Sequence, residues 1–450
     1  MAEPFDLIVI GTGSGGSAPA YRCRKAGWRV AVVDEVPYGG TCAVRGCDPK
    51  KVLVGAAELV DWQRRMRGHG VTGEARIAWG DLMRFKRTFT DPVPDNREAG
   101  FASAGIATLH GSARFVAPDA LAVGGDVLRA RHFVIASGAE PRHLEFPGAE
   151  HLRTSTDFLD LDELPARIVF VGGGYVSFEF AHIAVRAGAA VTIVARGRPL
   201  RRFEPDLVDR LVAHTRRLGI TVRSDAEVSR VEQVDGGFRV YVTNAGKTEM
   251  MDADLVVHGA GRVPATARLA LDKAEVATSL DGGVAVDEYL RSTTNPLVYA
   301  AGDVTTTPGS LPLTPVAGYE GSVVASNLLQ NNHRRAQYGA IPSVVFTVPT
   351  LATVGLTQAA AVAQGVDVRV ETHDTTGWFT NRRLAAECGM AMVLIEKGTD
   401  RVVGAHLLGQ HTEELVNVFA LGMNHGIPAL ALRHHLYAYP TTASDIPYLV

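Results

Sequence analysis

Apolar residues in this chain gather in short runs that end on glycine. The first, Phe5–Gly11 (FDLIVIG), is apolar at almost every position, which predicts a strand buried on both faces, as in a parallel sheet. Glycines follow at once in GTGSGG, Gly11–Gly16. A helix is predicted to about Ala26, and WRVAVVD gives a second strand ending at Asp34. The order strand, glycine turn, helix, strand repeats over Arg167–Arg196. Later the pattern changes. SVVFTV, MAMVLIE and RVVGAHLLG read as strands, and an amphipathic helix is predicted around Glu413–His425, so Ile341–Val450 reads as a separate α+β domain. Met66–Thr90 reads as helical and polar.

With 450 residues the chain exceeds a single core and predicts several domains. Forty-five basic residues against 48 acidic ones leave a net charge of −3, which points away from nucleic acid and anionic membranes. No apolar run reaches the ~18 residues of a membrane helix, and MAEPFDLIVIG lacks a basic leader region, so a cytoplasmic protein is expected. Four cysteines make no disulfide scaffold at this length.

The two glycine turns carry chemistry. Gly11, Gly13 and Gly16 form G-x-G-x-x-G, with Asp34 lying 23 positions after Gly11. This is the spacing of a dinucleotide site, with pyrophosphate at the helix N-terminus and the acid at the ribose. In the second copy Gly172 and Gly174 match, and Ser177 stands at the third glycine. Two copies in context predict two dinucleotide sites. Asp34 suits the free ribose hydroxyls of FAD. The second strand ends instead in Arg196, Arg198, Arg201 and Arg202, which would favour a 2′-phosphate and hence NADPH over NADH. A solvated basic turn has the same sequence.

Cys42 and Cys47 lie in GGTCAVRGCDPKK, Gly39–Lys51. A zinc site needs about four ligands, and no second pair stands nearby, so no metal site is expected. A structural bridge over so short a loop would restrain the unfolded chain only modestly. A redox pair fits better. On a regular helix residues five apart have Cα atoms ~8–9 Å apart, beyond the ~7 Å reach of a disulfide. A distorted helix start is therefore predicted, with Gly39, Gly40 and Gly46 supplying the freedom. Gly302-Asp303 closes another strand, and Thr314-Pro315 reads as the cap and first position of a further helix.

With these residues assembled, the chain resembles the FAD-dependent pyridine nucleotide–disulfide oxidoreductases, nearest to glutathione reductase, dihydrolipoamide dehydrogenase and mercuric reductase. The likeness rests on GGTCxxxxCxPxK at Gly39–Lys51, ASGAEPR at Ala136–Arg142, GGGYVSFE at Gly172–Glu179, GAGRVP at Gly259–Pro264, AAGD at Ala300–Asp303 and FTVPTLATVGLT at Phe346–Thr357. It implies an α/β protein with two Rossmann-like domains and a C-terminal α+β dimerisation domain. The expected parts are an FAD domain over 1–153, an NAD(P)H domain over 154–275, a return to the FAD domain over 276–340, and an interface domain over 341–450.

By that resemblance Cys47 lies against the flavin, Cys42 exchanges with substrate, Lys51 pairs with Glu179, Tyr175 gates the nicotinamide and Asp303 holds the ribityl chain. An ordinary surface pair is the alternative for Lys51 and Glu179, and core packing for Tyr175. Cofactor contacts are expected at Gly11, Gly13, Ser14, Gly15, Gly16, Asp34, Glu35, Gly40, Thr41, Cys42, Gly46, Cys47, Lys51, Ser112, Ala113, Ala136, Ser137 and Gly138. They are also expected at Gly172, Gly174, Tyr175, Val176, Glu179, Arg196, Arg201, Gly261, Arg262, Gly302, Asp303, Leu313, Thr314 and Pro315.

One departure bears on substrate. Disulfide-reducing members carry His-Pro-Thr-x-x-Glu near the C-terminus, as the acid/base of the partner subunit's cysteines. Here the stretch is YPTTAS, with Tyr439 at the His place and Ser444 at the Glu place. A phenol with pKa near ~10 can donate a proton but is a poor base. His434 and His435 lie close in sequence, as substitutes or as a surface pair, and Cys23 and Cys388 read as packed thiols. The expected function is an NAD(P)H-dependent flavoprotein reductase acting on a small disulfide or other thiol-reactive oxidant, as a homodimer. The alternatives are a metal-ion, quinone or oxygen reductase, and a flavoprotein whose redox state a protein partner reads.

Overall fold

The computed structural model describes residues 3–450, which form two compact units. The first comprises residues up to Lys50, Phe85–Arg142 and Arg262–Tyr338. Its sheet places strand Phe5–Ile10 at the centre, with Val30–Asp34 and then Ala107–His110 on one side. Strand Asp126–Ile135 lies on the other side, parallel to it, and Val298–Ala300 pairs in parallel beyond. The continuous apolar run has the expected cause. Leu7, Val9, Val30 and Val32 pack on one face of the sheet with Ala20 and Cys23. Ile8, Ile10, Ala31 and Val33 pack on the other with Phe115 and Phe133. Both faces are covered, so no polar alternation is possible.

The register aligns the strand ends. Ile135 sits opposite both Ile10 and Ala300, so the loops at Gly11, Ala136 and Ala301 open at one edge. From the central strand the chain runs first to Val30–Asp34 and Ala107–His110 on one side and only later to Asp126–Ile135 on the other, and such a switch point is where these sheets bind ligands.

The second unit comprises Lys51–Arg84, His143–Gly261 and Gly339–Val450. Its parallel sheet runs Thr221–Ser224, Ala190–Ala195, Arg167–Val171 and Leu255–His258. A five-stranded antiparallel sheet follows in the order Ser343–Val345, Thr350–Gly355, Arg401–Gly409, Met390–Glu396, Val368–His373. Helix Thr412–Asn424 buries Leu415, Val416 and Phe419 against Val393 and Leu407 of that sheet.

Two local expectations are corrected. The stretch from Met66 to Thr90 is not one helix: helix Cys47–Met66 stops, and helix Trp79–Thr90 begins anew. Gly68, Gly70 and Gly73 between them take positive φ, which ends regular helix. Thr314 is not a cap but the first residue of helix Thr314–Gln330; extended Leu313 holds the cap position, and no side chain caps the end.

Candidate active site

The glycine turn of the first unit is built for close backbone approach. A Cβ at Gly16 would lie 2.2 Å from the Gly11 carbonyl oxygen, and one at Gly11 would lie 2.3 Å from that of Ala136. Helix Ser14–Lys25 starts at Gly13 with no side-chain cap and no acid in its first turn, so its N–H groups are left to an anion. Asp34 ends the second strand, and its Oδ2 accepts from the Thr12 amide at 2.9 Å and the Thr12 hydroxyl at 2.7 Å. The bare turn, the open helix end and this anchored acid suit the pyrophosphate and ribose of a dinucleotide, and so fit FAD.

Other expected contacts gather at the same edge. Ser137 donates to the Ala265 carbonyl at 2.8 Å, and Gly138 turns with φ +73°. Asp303 follows Gly302, and burial raises its carboxyl's pKa, partly offset by the Arg262 charge. Arg262 itself donates to the Ala139 carbonyl. Glu35 is committed elsewhere, in an ion pair with Arg268 at 2.6 Å. Ser112 is exposed, beside buried Ala113.

The cysteines sit on the predicted helix break. Helix Gly40–Arg45 carries Cys42, Gly46 interrupts it at φ −145° and ψ −114°, and a new helix starts at Cys47. A Cβ at Gly46 would press on the Thr41 oxygen at 2.8 Å, and one at Gly40 on the Gly13 Cα at 2.5 Å. The cysteine segment is thus packed on the glycine turn. The two thiols share a hydrogen bond, and they do not share a proton equally. The Cys47 pKa falls to about 6, chiefly because Cys42 donates to it; the Thr314 hydroxyl and the Lys50 charge help, against Asp48 and the partial desolvation of a sulfur whose residue is still exposed. The same bond, with burial, raises Cys42 far above the ordinary thiol range. The two shifts run in opposite directions, toward a thiolate on Cys47 and a proton on Cys42.

Two features of this cluster were not legible in the sequence, the contact of Thr314 with sulfur and the place of Lys50. Thr314 Oγ1 lies 3.5 Å from Cys47 Sγ, because a helix end without a cap leaves that hydroxyl free to turn to sulfur. Lys50 is buried, 9% exposed, three residues after Cys47. Residues three apart share a helix face, so Lys50 stands on the cysteine's side.

Its neighbour Lys51 departs from expectation. Lys51 Nζ makes its ion pair with Glu58, at 3.1 Å, rather than with Glu179, and lies 4.8 Å from the Phe346 ring centroid. Glu58 is the next carboxylate on the same helix, two turns on, and half-exposed Lys51 reaches it along the surface. Glu179 is buried and accepts the Phe346 amide at 2.7 Å. One helical turn on, His182 Nδ1 accepts the Val348 amide at 3.1 Å. Its Nε2 lies 2.9 Å from the Thr215 hydroxyl, which already donates to the Leu211 carbonyl, so His182 is neutral with its proton on Nε2. Glu179 and His182 thus fix Phe346–Val348, an arrangement no local signal announces.

The second glycine turn also forms. A Cβ at Gly172 would lie 2.3 Å from the Gly259 oxygen. Ser177 fits where the third glycine is absent because the crowding moves to its neighbour: a Cβ on Gly259 would lie 2.0 Å from the Ser177 hydroxyl. Helix Tyr175–Arg186 starts at Gly174 without a cap or early acid, and Tyr175 and Val176 open it, Tyr175 being exposed. Gly261 takes φ +110°. Arg198 binds Asp209 at 2.6 Å and the Pro205 carbonyl at 2.9 Å. Arg196, Arg201 and Arg202 are exposed and have no hydrogen bond or ion pair among the described residues.

At the C-terminal loop Tyr439 is 78% exposed and stacks on Phe379 with centroids 6.4 Å apart. Ser444 donates to the Thr441 carbonyl of its own loop at 2.6 Å, and Asp445 accepts from Thr380. His434 and His435 are both exposed, His435 packing edge-on against Tyr437. Cys23 and Cys388 are buried, and burial raises their pKa to about 12 and about 11.

The chain has relatives along its whole length. A glutathione reductase from Burkholderia cepacia is 32% identical, covering 98% of this chain and 97% of the relative. A mercuric reductase from Streptomyces lividans is 31% identical over 98% and 94%. A dihydrolipoyl dehydrogenase from Chlamydia muridarum is 30% identical over 98% and 95%. Among solved structures, the HOCl-induced flavoprotein disulfide reductase RclA from Escherichia coli, in its Cu(II) complex, superposes with a TM-score of 0.88 at 27% identity over 99% of both chains. Residues 341–449 match the dimerisation domain of the pyridine nucleotide-disulphide oxidoreductases, and residues 5–321 match that family's main model. This chain belongs to the pyridine nucleotide-disulphide oxidoreductase family, and is an FAD flavoprotein enzyme that uses a pyridine nucleotide.

Proposed function

We propose that the enzyme is an NADPH-dependent reductase that delivers electrons through Cys42 and Cys47 to a small disulfide or another thiol-reactive oxidant. The carrying observation is the Cys42–Cys47 pair on either side of the Gly46 helix break, in a segment packed on the glycine turn, with the Thr314 hydroxyl 3.5 Å from Cys47 Sγ. Bound FAD supplies two-electron transfer between nicotinamide and sulfur. Gly11–Gly16 would hold its pyrophosphate, Asp34 its ribose and Asp303 its ribityl chain. Arg196 and Arg201, exposed and without a partner among the described residues, support a 2′-phosphate on the second dinucleotide. The matched dimerisation domain supports a homodimer.

With a disulfide acceptor, Cys42 sulfur attacks one sulfur of the acceptor and the other leaves as a thiolate. Cys47 then attacks Cys42, closing the Cys42–Cys47 disulfide and releasing the second thiol. One hydride equivalent and one proton are consumed for two thiols formed. Cys42 must lose its proton first, and the thiolate of Cys47 is the base within reach; Cys47 then gives that proton to the first departing thiolate, which restores it as the nucleophile, and the second departing thiolate takes its proton from solvent.

A second reading takes a thiophilic metal ion as acceptor. It is favoured by Tyr439, a phenol where an imidazole would otherwise serve, because electron transfer to a metal ion leaves no thiolate to protonate. The likeness to a reductase solved with Cu(II) supports the same reading. NADPH added without air is expected to expose two new thiols per chain, counted by a chromogenic disulfide, and Cys47→Ser to abolish them. A wild type that consumes NADPH yet exposes no thiol refutes the dithiol route. Turnover with glutathione disulfide, lipoamide, Cu(II), mercuric ion, a quinone and oxygen then separates the acceptors.

A further inference from the structure

Helix Thr314–Gln330 touches both loops of the cofactor edge. At Gly321 it lies so close to the glycine turn that a Cβ there would sit 2.4 Å from the Gly15 carbonyl oxygen. A Cβ on Gly15 would in turn lie 2.9 Å from the Ala301 oxygen. Gly15, Ala301 and Gly321 thus meet backbone to backbone, with no side chain between them. The residue before Gly321 is Glu320, fully buried at 0% exposure. A buried carboxylate is costly unless its oxygens are satisfied, and here they are. Oε2 accepts the Gly302 amide at 2.6 Å; Oε1 accepts the Ser310 hydroxyl at 2.8 Å and the Tyr338 hydroxyl at 2.6 Å. Burial raises the Glu320 pKa, and the three donors pull it back.

Gly302 immediately precedes Asp303, and its φ of +83° is a conformation that leaves the turn little intrinsic preference. The bond from Glu320 supplies that preference. It holds the Gly302 amide, and so the direction of the next residue, to the same helix that rests on the glycine turn.

We infer that Glu320 is a positioning residue for the cofactor: it locks the Gly302–Asp303 turn so that Asp303 and the Gly11–Gly16 turn present a preformed cradle. The inference rests on the reading that Asp303 contacts the bound FAD. Glu320 itself touches no cofactor atom; it acts through a backbone amide. Gln can replace it at little cost, because its carbonyl serves the Gly302 amide while its amide group donates to hydroxyls that rotate to accept.

The test is FAD binding to the apoprotein, followed by flavin fluorescence. Glu320→Met is expected to raise the FAD Kd at least tenfold and Glu320→Gln no more than threefold. Asp303→Ala with Glu320→Met should bind no more weakly than Asp303→Ala alone, since both changes remove the same contact. A Glu320→Met protein that keeps wild-type Kd within twofold, or additive losses in the double variant, overturns the inference. Should Glu320→Met fail to fold, Glu320→Asp carries the test: one methylene shorter, it cannot hold all three donors, and an unchanged Kd overturns the inference equally. If Asp303→Ala alone leaves FAD affinity unchanged, the reading of Asp303 fails, and the inference with it, whatever Glu320→Met shows.

Discussion

Thr314→Val tests the electrostatics of the dithiol with the smallest change in shape. Valine keeps the branched side chain and removes the hydroxyl that lies 3.5 Å from Cys47 Sγ. A hydrogen bond to a charged group contributes about 1.5–3 kcal/mol. The contact is long and Cys47 is exposed, so solvent competes, and about half of the lower figure to half of the upper remains, ~1 kcal/mol. One pKa unit corresponds to ~1.4 kcal/mol, so the Cys47 pKa should rise from about 6 by ~0.5–1 unit. Lys50→Met should shift it in the same direction, because the Lys50 charge favours the Cys47 thiolate. The assay is the rate of iodoacetamide alkylation of the reduced protein across pH 4.5–9, with the labelled cysteine identified by mass spectrometry. Thr314→Ser, which retains a hydroxyl, should return the profile toward wild type. A Thr314→Val profile within 0.2 unit of wild type, or labelling that begins at Cys42, would refute the assignment of the thiolate and of its donors.

Two further outcomes follow from the buried histidines and the C-terminal loop. Burial, helped by Arg186, lowers the His214 pKa to about 4 and holds His182 well below the usual range, with Asp61, Arg217 and Glu387 as the other charges nearby. The unfolded chain binds these protons near ~6.5, so the stabilisation is complete above that pH and is lost as pH falls toward 4. Urea midpoints should drop from pH 7.5 to 5, and His214→Phe should flatten the slope by about one proton; an unaltered slope sinks the assignment. Tyr439→His with Ser444→Glu should raise kcat for a disulfide at least tenfold by supplying an oriented acid/base, measured by NADPH consumption. Equal rates in the variant and wild type would show that the missing imidazole does not limit the chemistry.

Much of this enzyme is decided by chain-local physics. A strand buried on both faces must be apolar throughout, and a turn that meets a phosphate must lack side chains, so Phe5–Gly16 and Arg167–Arg196 announced two βαβ units on their own. The glycines around Cys42 and Cys47 likewise required the helix break that the structure contains. The departure at Tyr439 was visible as plain residue identity. Other features depend on where a helix points its sides, and this no spacing shows. Lys50 and Lys51 are adjacent and chemically identical, yet ~100° of helical turn buries one beside Cys47 and leaves the other to Glu58. Thr314 looked like a cap, but Leu313 took that place and left its hydroxyl for sulfur. Glu320 and His182 bond amides far along the chain, at Gly302 and Val348. Such bonds pair a side chain with a backbone group that every residue carries, so the sequence holds no mark of the partner. Only the packing of one element on another decides it.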